Sequence, residues 1–308
     1  MLFRSGANKD IPSRVWKPKA TLLFVTFLWS TSWVLIKHGL AEIRPLTFAG
    51  LRYTLAAIVL LVYWGTIRTP GERVFDKVSW RPLLLLGIVQ FTLTQGAQFL
   101  ALAHLPAQTT SLALSTTPVI VALLGLLFLR EAISGGQFVG ILLLVTGGVF
   151  YLFPISRISG AALVGIVAVI GAPLANALAT VLGRHTNQRL SATQVTTGSM
   201  LVGGVTLLTF GLIVEGFPSI TVHAAVLLAW LSIVNTGLAF TLWNKSLGKL
   251  SATTTSTLHN TMLVQIGILS WVFLDEQLTG INVLGLVLAT TGAIVAARKT
   301  RPKTRRTP

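Results

Sequence analysis

A histidine with polar neighbours lies inside an apolar run long enough to cross a membrane. His259 falls well within a hydrophobic run, and Ser256 and Asn260 lie on the same flank of the helix that this run would form. An ionisable side chain is costly inside a membrane-length segment, so it is a functional candidate by default. Imidazole, hydroxyl and amide groups together suit binding of a small polar group. A hydrogen bond between two helices would explain the histidine equally well.

Other apolar segments carry amides, hydroxyls and indoles at helical spacing. Gln90, Thr94 and Gln98 recur every four residues and so form one polar stripe on a helix. Trp29 and Trp33 stand one turn apart around a hydroxyl cluster. Aromatic walls with a few polar groups are typical of a cavity for an apolar or aromatic small solute, although Ser and Thr also pack membrane helices closely. The candidate binding residues are Trp29, Trp33, Gln90, Thr94, Gln98, Asn235, Trp243, Asn244, Ser256, His259 and Asn260.

The sequence lacks the residue sets of an intramembrane enzyme or metal site. All eight Asp and Glu residues fall in loops or at the ends of apolar runs, the five His are scattered, and there is no Cys. Paired intramembrane aspartates or an H-E-x-x-H helix are therefore excluded. Transport of a proton or sodium ion on a buried carboxylate is disfavoured. We predict no catalytic residue, no cofactor and no metal, and hence not an enzyme.

Two other features inside the apolar runs have a structural and a functional interpretation. Arg52 lies some six residues into the second run, close enough to the interface to extend its head group into water, which favours an anchoring role. Pro118 and Pro173 interrupt the fourth and sixth runs. Proline removes a backbone donor and kinks a helix, so each is a candidate hinge or a packing kink.

The composition is that of an integral membrane protein. Hydrophobic residues make up 53% of the chain, charged residues 10%, and the mean hydropathy is +0.77. Helical runs of about 20 apolar residues match the hydrocarbon thickness of a bilayer. The predicted fold class is therefore an all-α membrane protein surrounded by lipid. The ten predicted transmembrane helices cover 20–37, 46–66, 82–103, 107–129, 135–153, 160–182, 191–214, 222–244, 250–274 and 279–297.

The positive charge follows this topology. With a cytoplasmic N-terminus, 20 of the 24 Lys and Arg fall on the cytoplasmic side, and only Lys37, Arg44 and Arg157 fall on the other. The positive-inside rule thus predicts N-in and C-in in the cell inner (plasma) membrane. The net charge of +16 does not indicate nucleic-acid binding, because that needs a basic patch on an exposed folded surface.

The chain contains an internal repeat. Residues 105–148 align without a gap on residues 250–293, an offset of 145, with 16 of 44 identical. Because each half has five crossings, the halves must enter the bilayer from opposite sides as inverted repeats. We predict a cytoplasmic basic segment at 1–19, five-helix repeats at 20–153 and 160–297, and a cytoplasmic basic tail at 298–308. A solute site is expected between the halves.

These motifs resemble the EamA family of the drug/metabolite transporter superfamily. The resemblance rests on the ten spans in two halves, Ala49-Gly50-Leu51-Arg52-Tyr53, Gly237-Leu238-Ala239-Phe240, and the repeated Phe-Leu-x-Glu at 128–131 and 273–276. It implies export of small organic metabolites by alternating access, and the aromatic residues resemble the YddG type, which exports aromatic amino acids. The sixth span departs from the pattern, since Leu174 to Asn176 replace a Trp that many members carry. Rival interpretations are an importer or antiporter of nucleotide sugars or purines, a channel, and an intramembrane enzyme.

Overall fold

Every regular element that the structure describes is a helix. The computed structural model describes residues 11–67, 80–117, 119–121, 123–124, 134–152, 160–187, 190–247, 252–277 and 279–296. The helices are α1 (Ile11–Gly39), α2 (Pro45–Ile67), α3 (Trp80–Gly87), α4 (Gly96–His104), α5 (Ala107–Leu114), α6 (Gly135–Leu152), α7 (Gly160–Asn187), α8 (Ala192–Glu215), α9 (Val222–Ser232), α10 (Ala239–Leu247), α11 (Ala252–Phe273) and α12 (Gly280–Ala296), with π-helical segments π1 (Ile88–Gln95) and π2 (Ile233–Leu238) joining α3 to α4 and α9 to α10.

Several of these helices are long and apolar enough to cross a bilayer. Six candidate spans occur among the described residues, and three shorter apolar helices accompany them at Gly135–Tyr151, Thr261–Phe273 and Gly280–Ala296. The predicted all-helical membrane class is confirmed. The fourth predicted span, 107–129, extends beyond the described residues. The six spans are Pro18–Gly39, Pro45–Thr66, Trp80–His104, Leu163–Asn187, Ala192–Glu215 and Val222–Trp243.

The outside of the bundle is apolar. Ile213, Val167 and Val62 expose 77%, 65% and 62% of their surfaces, and many other large aliphatic side chains are more than half exposed. A water-soluble protein rarely shows such continuous apolar surface. When this apolar surface contacts lipid, its exposure carries no hydrophobic penalty. The helices satisfy their backbone hydrogen bonds internally, as a lipid environment requires.

Repeat-equivalent glycines bring α6 and α12 into close contact. A β-carbon built on Gly147 would lie 2.6 Å from Gly285 O, and one built on Gly285 would lie 2.6 Å from Gly147 O. Gly140 and Gly292 approach each other in the same reciprocal way. Position 140 therefore faces 292 and position 147 faces 285, so the two helices are antiparallel. Small residues allow this approach, as in other membrane helix pairs.

Helices α2 and α8 cross in the same manner. Gly204 lies against the backbone of Thr54, and Gly211 against that of Thr47, so the register again runs in opposite directions. A β-carbon on Gly204 would come within 2.8 Å of Thr54 N, and one on Gly211 within 2.7 Å of Thr47 N. The second and seventh predicted spans show no sequence match, yet they pair just as the matched fifth and tenth spans do.

The two π-helical segments occupy equivalent places in the repeat. π1 begins at Ile88 and π2 at Ile233, and these positions differ by the same 145 residues that separate the aligned halves. The hydroxyls of Thr94 and Thr236 each donate to a carbonyl five residues earlier, at 2.9 and 2.8 Å. Such i→i+5 segments within helices frequently mark functional sites.

Charged side chains cap helix termini at one end of the bundle. Glu215, which ends α8, accepts from the backbone N–H groups of Leu46 (3.0 Å) and Thr47 (2.8 Å) at the start of α2. Glu276 likewise accepts from Ala107 N (2.6 Å) at the start of α5. Lys37 Nζ donates to two carbonyls at the end of α4, both at 2.7 Å. A carboxylate at a helix N-terminus and an ammonium at a C-terminus both complement the helix dipole. We call this the Glu42 end, because Glu42 lies there between α1 and α2.

Candidate functional site

Four rings from three helices form an aromatic cluster. Trp29 of α1 lies 4.9 Å from Trp243 and 5.3 Å from Phe240, both of α10, measured between ring centroids. The His259 ring of α11 lies 6.0 Å from Trp29 and 5.5 Å from Trp243, edge-on to both indoles. These separations are favourable for aromatic pairs. His259 nevertheless keeps an exposed side chain, so the described residues leave the aromatic cluster open on one side.

A polar cluster adjoins the aromatic one along α1. It contains Thr31 and Ser32 of α1, Arg52 of α2, and Asn235 and Thr236 of π2. The Asn235 amide donates to Ser32 Oγ (2.9 Å), to Thr31 Oγ1 (3.1 Å) and to a backbone carbonyl of α1. Its carbonyl oxygen Oδ1 is buried without a hydrogen-bond partner. A buried acceptor left unpaired is costly in a protein interior, so this oxygen is a group of the polar cluster whose hydrogen bond the described residues do not satisfy.

Arg52 is part of the polar cluster, and the prediction that its head group extends into water is wrong. Its side chain does not extend to the membrane surface, because only 5% of the residue is exposed. Nε lies 3.2 Å from Thr236 Oγ1, and Nη2 lies 3.4 Å from Ser32 Oγ. A position six residues inside the second span allows the side chain to reach the membrane surface but does not determine the direction in which it extends. Here the Arg52 side chain points into the bundle. Ser232 Oγ donates to Arg52 O (3.1 Å), which ties α2 to α9.

The predicted glutamine stripe divides into different environments. Thr94 is buried, and its hydroxyl bonds to its own helix. Gln90 and Gln98 are partly exposed, and neither side chain has a hydrogen bond within the described residues. Gln95 instead accepts from Tyr53 OH at 2.6 Å. The stripe was predicted with α-helical spacing, whereas π1 occupies 88–95 and changes the angular position of each residue.

The two tryptophans of α1 lie in different clusters. Trp33 is 6% exposed and packs in the main core with Ile36, Phe48 and Ile266, while Trp29 faces the aromatic cluster. One helical turn thus separates a core residue from a site residue. Gln265, which sequence reasoning missed, links α11 to α1: its Oε1 accepts from Ser30 Oγ at 2.9 Å. An amide inside an apolar run was the available signal.

The remaining predicted residues are only partly described. Pro118 and the side chains of Asn244, Ser256 and Asn260 lie outside the described residues. Pro173 is buried inside α7, which continues as a helix on both sides of it. Position 118 is a proline and supplies no N–H to Leu114 O. That carbonyl accepts from Thr117 Oγ1 at 2.7 Å, the compensation expected for a proline inside a membrane segment.

The fold and site together define a class of protein: a duplicated helical membrane protein with a polar and aromatic site between its helices. The chain belongs to the EamA-like transporter family, whose model matches it twice, at residues 18–153 and 163–298. It is therefore a membrane transporter of the drug/metabolite type.

The sequence similarity to known relatives extends over almost the whole chain. It is 29% identical to the transporter YvbV of Bacillus subtilis, with 91% of each chain covered. It is 27% identical to the transporter YoaV of the same organism, covering 88% of this chain and 93% of YoaV. A probable amino-acid metabolite efflux pump of Escherichia coli is 24% identical over 90% of this chain and 92% of its own. One solved crystal structure matches with a TM-score of 0.67 at 19% identity, covering 91% and 97% of the two chains, which shows the shared fold.

Proposed function

We propose that the protein exports small organic solutes, best fitted by aromatic amino acids, across the cell inner membrane by alternating access. The observation that carries this proposal is the exposed His259 ring, which packs edge-on against the indoles of Trp29 and Trp243. Aromatic walls suit an aromatic side chain. The adjoining polar cluster offers donors and one free acceptor to the charged end of the same solute.

The proposed topology is ten crossings in two inverted halves, 20–153 and 160–297. The antiparallel pairs α6–α12 and α2–α8, and the equivalent positions of π1 and π2, support a pseudo-two-fold relationship between the halves. The excess of Lys and Arg on one side supports cytoplasmic ends at 1–19 and 298–308. The site draws on helices of both halves, as alternating access between inverted repeats requires. Pro118 and Pro173 are the proposed hinges.

The substrate class rests on chemistry and on one relative. The Escherichia coli relative is named a probable amino-acid metabolite efflux pump, which favours a zwitterionic solute over a nucleotide sugar. Several cationic side chains would be needed for a diphosphate. Within the described spans, Arg52 alone combines a positive charge with burial at the site.

Counterflow in proteoliposomes tests the proposal. Vesicles containing the purified protein and preloaded with unlabelled L-phenylalanine should accumulate labelled L-phenylalanine, and protein-free vesicles should not. Unlabelled L-tryptophan and L-tyrosine added outside should compete with the labelled L-phenylalanine, whereas a nucleotide sugar should not. Accumulation of none of the aromatic amino acids, with correctly inserted protein, would refute the proposed substrate.

A further inference from the structure

Arg52 presents a buried positive charge for which the protein supplies little compensation. The guanidinium carries five N–H donors and stays protonated. Its two hydrogen bonds, at 3.2 and 3.4 Å, are long and lead to neutral hydroxyls. Within the described residues no carboxylate lies within ion-pair distance of it. The Tyr53 ring adds only a contact of 5.3 Å from the guanidinium carbon to the ring centroid.

Such an arrangement is unfavourable as a structural element alone. The free-energy cost of burying an ion exceeds the stabilisation from two long hydrogen bonds to neutral groups. An opposite charge in good geometry is needed to offset that cost. An intramembrane arginine normally pairs with a carboxylate or lines an aqueous path. The planar fork of the guanidinium matches a carboxylate with two parallel hydrogen bonds. The missing partner is therefore an anion with carboxylate geometry.

The neighbours of Arg52 complete a receptor for a dipolar molecule. Ser32 Oγ accepts from Arg52 Nη2 and also from Asn235 Nδ2, so the guanidinium and the amide meet at one hydroxyl. The Nδ2 group of Asn235 donates to three acceptors, while its Oδ1 is buried and unpaired. A cation without a counter-ion among the described residues and an amide with an unpaired acceptor thus both bond to Ser32. A carboxylate fits the first and an ammonium the second.

The aromatic cluster starts one turn along α1 from this point. Trp29 precedes Ser32 by three residues, a rise of about 4.5 Å along the helix. The indole NH of Trp29 is itself buried without a partner. A molecule with its charged end at Ser32 would direct a side chain of ordinary amino-acid length toward the rings of Trp29 and Trp243, which are themselves in contact at 4.9 Å between centroids. The polar and aromatic clusters then form two ends of one binding site.

We infer that Arg52 is the receptor for the substrate's carboxylate and restricts transport to solutes with a free carboxylate next to an ammonium group. This rests on the proposed function for the aromatic part of the solute. The carboxylate requirement itself follows from Arg52 and Asn235. Amides, esters and decarboxylated amines of the same size would leave the guanidinium unpaired and would bind poorly.

The wild-type protein tests this without any substitution. Thermal unfolding of the purified protein is measured with L-phenylalanine, L-tryptophan, L-leucine and L-threonine, each against its own amide. At least one acid should raise the midpoint temperature, and its amide should need about tenfold or more concentration for the same shift, since a charge-assisted hydrogen bond is lost. If only L-leucine or L-threonine stabilises the protein more than its amide does, the proposed aromatic substrate is refuted and the role of Arg52 is supported. If no acid stabilises the protein more than its amide, the inference is overturned.

Variants then assign the discrimination to Arg52. Arg52→Gln should abolish the difference between acid and amide, and Arg52→Lys should retain part of it, because the charge remains and the fork is lost. Arg44→Gln is the matched control: Arg44 is exposed at the Glu42 end and its loss should leave the difference unchanged. Because removing an unpaired buried charge relieves a desolvation cost, Arg52→Gln should unfold at the wild-type temperature or above without ligand. A large drop in unfolding temperature for both Arg52 variants, with the acid–amide difference retained in Arg52→Gln, would instead show a structural link.

Discussion

Gly147 of α6 and Gly285 of α12 lie so close together that neither position has room for a side chain. A β-carbon on either glycine would come 2.6 Å from the carbonyl oxygen of its partner. The repeat maps 140 onto 285 and 147 onto 292, so the two glycine contacts of this crossing exchange under a pseudo-two-fold operation. The crossing is thus a place where the duplicated halves meet through equivalent backbone.

Alanine at Gly147 should therefore lower the unfolding temperature of the purified protein. The obstacle is backbone, so the helices must separate and lose contacts along their length. Gly148→Ala is the control, because nothing lies within 4 Å of a β-carbon there, and alanine also favours the helix. Equal unfolding temperatures for the two variants would show that α6 and α12 do not pack this closely.

Cysteine labelling should place the starts of α6 and α12 on opposite sides of the membrane. Ser134 and Thr279 are repeat equivalents, and each caps its helix through the residue three positions later: Gln137 N bonds to Ser134 Oγ (3.2 Å) and Asn282 N to Thr279 Oγ1 (3.4 Å). The chain has no native cysteine. An impermeant maleimide should label Ser134→Cys only from the cytoplasmic side and Thr279→Cys only from the other. Labelling of both from one side would end the inverted topology.

The repeat and the apolar runs were readable from sequence because they depend on residue type and spacing alone. The 145-residue offset matches Gly140 with Gly285 and Gly147 with Gly292, and the structure brings these glycines into contact. The long-range roles were not readable. Glu215 caps α2 only because α8 packs against α2. The sequence of a single chain does not show which helices pack against each other.

Side-chain direction was the second limit. The helical period put Arg52 near an interface and grouped Trp29 with Trp33, but it did not fix the rotation of each helix against its neighbours. A turn of π-helix at 88–95 further displaced the glutamine stripe, and local propensity gives little sign of such a segment. Trp29 and His259 were selected as aromatic or ionisable residues deep in apolar runs, and Trp243 as the repeat equivalent of Gln98. The structure brings these three together.

The Glu42 end should loosen in acid. Hydrogen bonds from Thr221 and then from His223 hold the pKa of Glu42 below its ordinary value. A lowered carboxyl pKa contributes stability that is present above the unfolded value, about 4.3, and is lost as the pH falls through the folded value. Glu42→Gln should therefore unfold at a lower temperature than wild type at pH 7, and the gap should shrink below about pH 4. Thr221→Val removes one donor to Glu42 and also the N-cap of α9, so only the pH-dependent part of its destabilisation should be a fraction of that seen for Glu42→Gln. A gap independent of pH would show that the carboxylate charge contributes nothing.

Transport should depend on the aromatic cluster and on Gln98. Trp243→Ala removes a wall of the site, and Gln98→Ala removes an amide that has no hydrogen bond within the described residues. Each loss should cost about 1 to 3 kcal/mol of solute binding, seen as slower counterflow at equal membrane insertion. Trp271→Ala is the matched control, since Trp271 is 58% exposed on the same α11 that carries His259. If both site variants transport at the wild-type rate, these residues serve packing.

Transport should need no ion gradient. Proton-driven exchange requires a buried group whose charge changes between the two open states, and the sequence places every Asp and Glu in loops or at span ends. In the described part of the chain, Glu42, Glu215, Asp275 and Glu276 lie at helix ends or between helices. Histidine is the side chain whose ordinary pKa lies near neutrality, which leaves His259 as the candidate carrier. Its ring lies edge-on to two indoles, a contact that neutral imidazole also makes.

We therefore expect facilitated movement of a zwitterion down its own gradient. Proteoliposomes without a pH or sodium gradient should take up and exchange labelled substrate, and His259→Gln should retain part of that activity because glutamine keeps a polar group at the wall. A protonophore should leave the wild-type rate unchanged. Net uptake that appears only under an imposed proton gradient and vanishes in His259→Gln would make His259 the proton carrier and the uniport mechanism wrong.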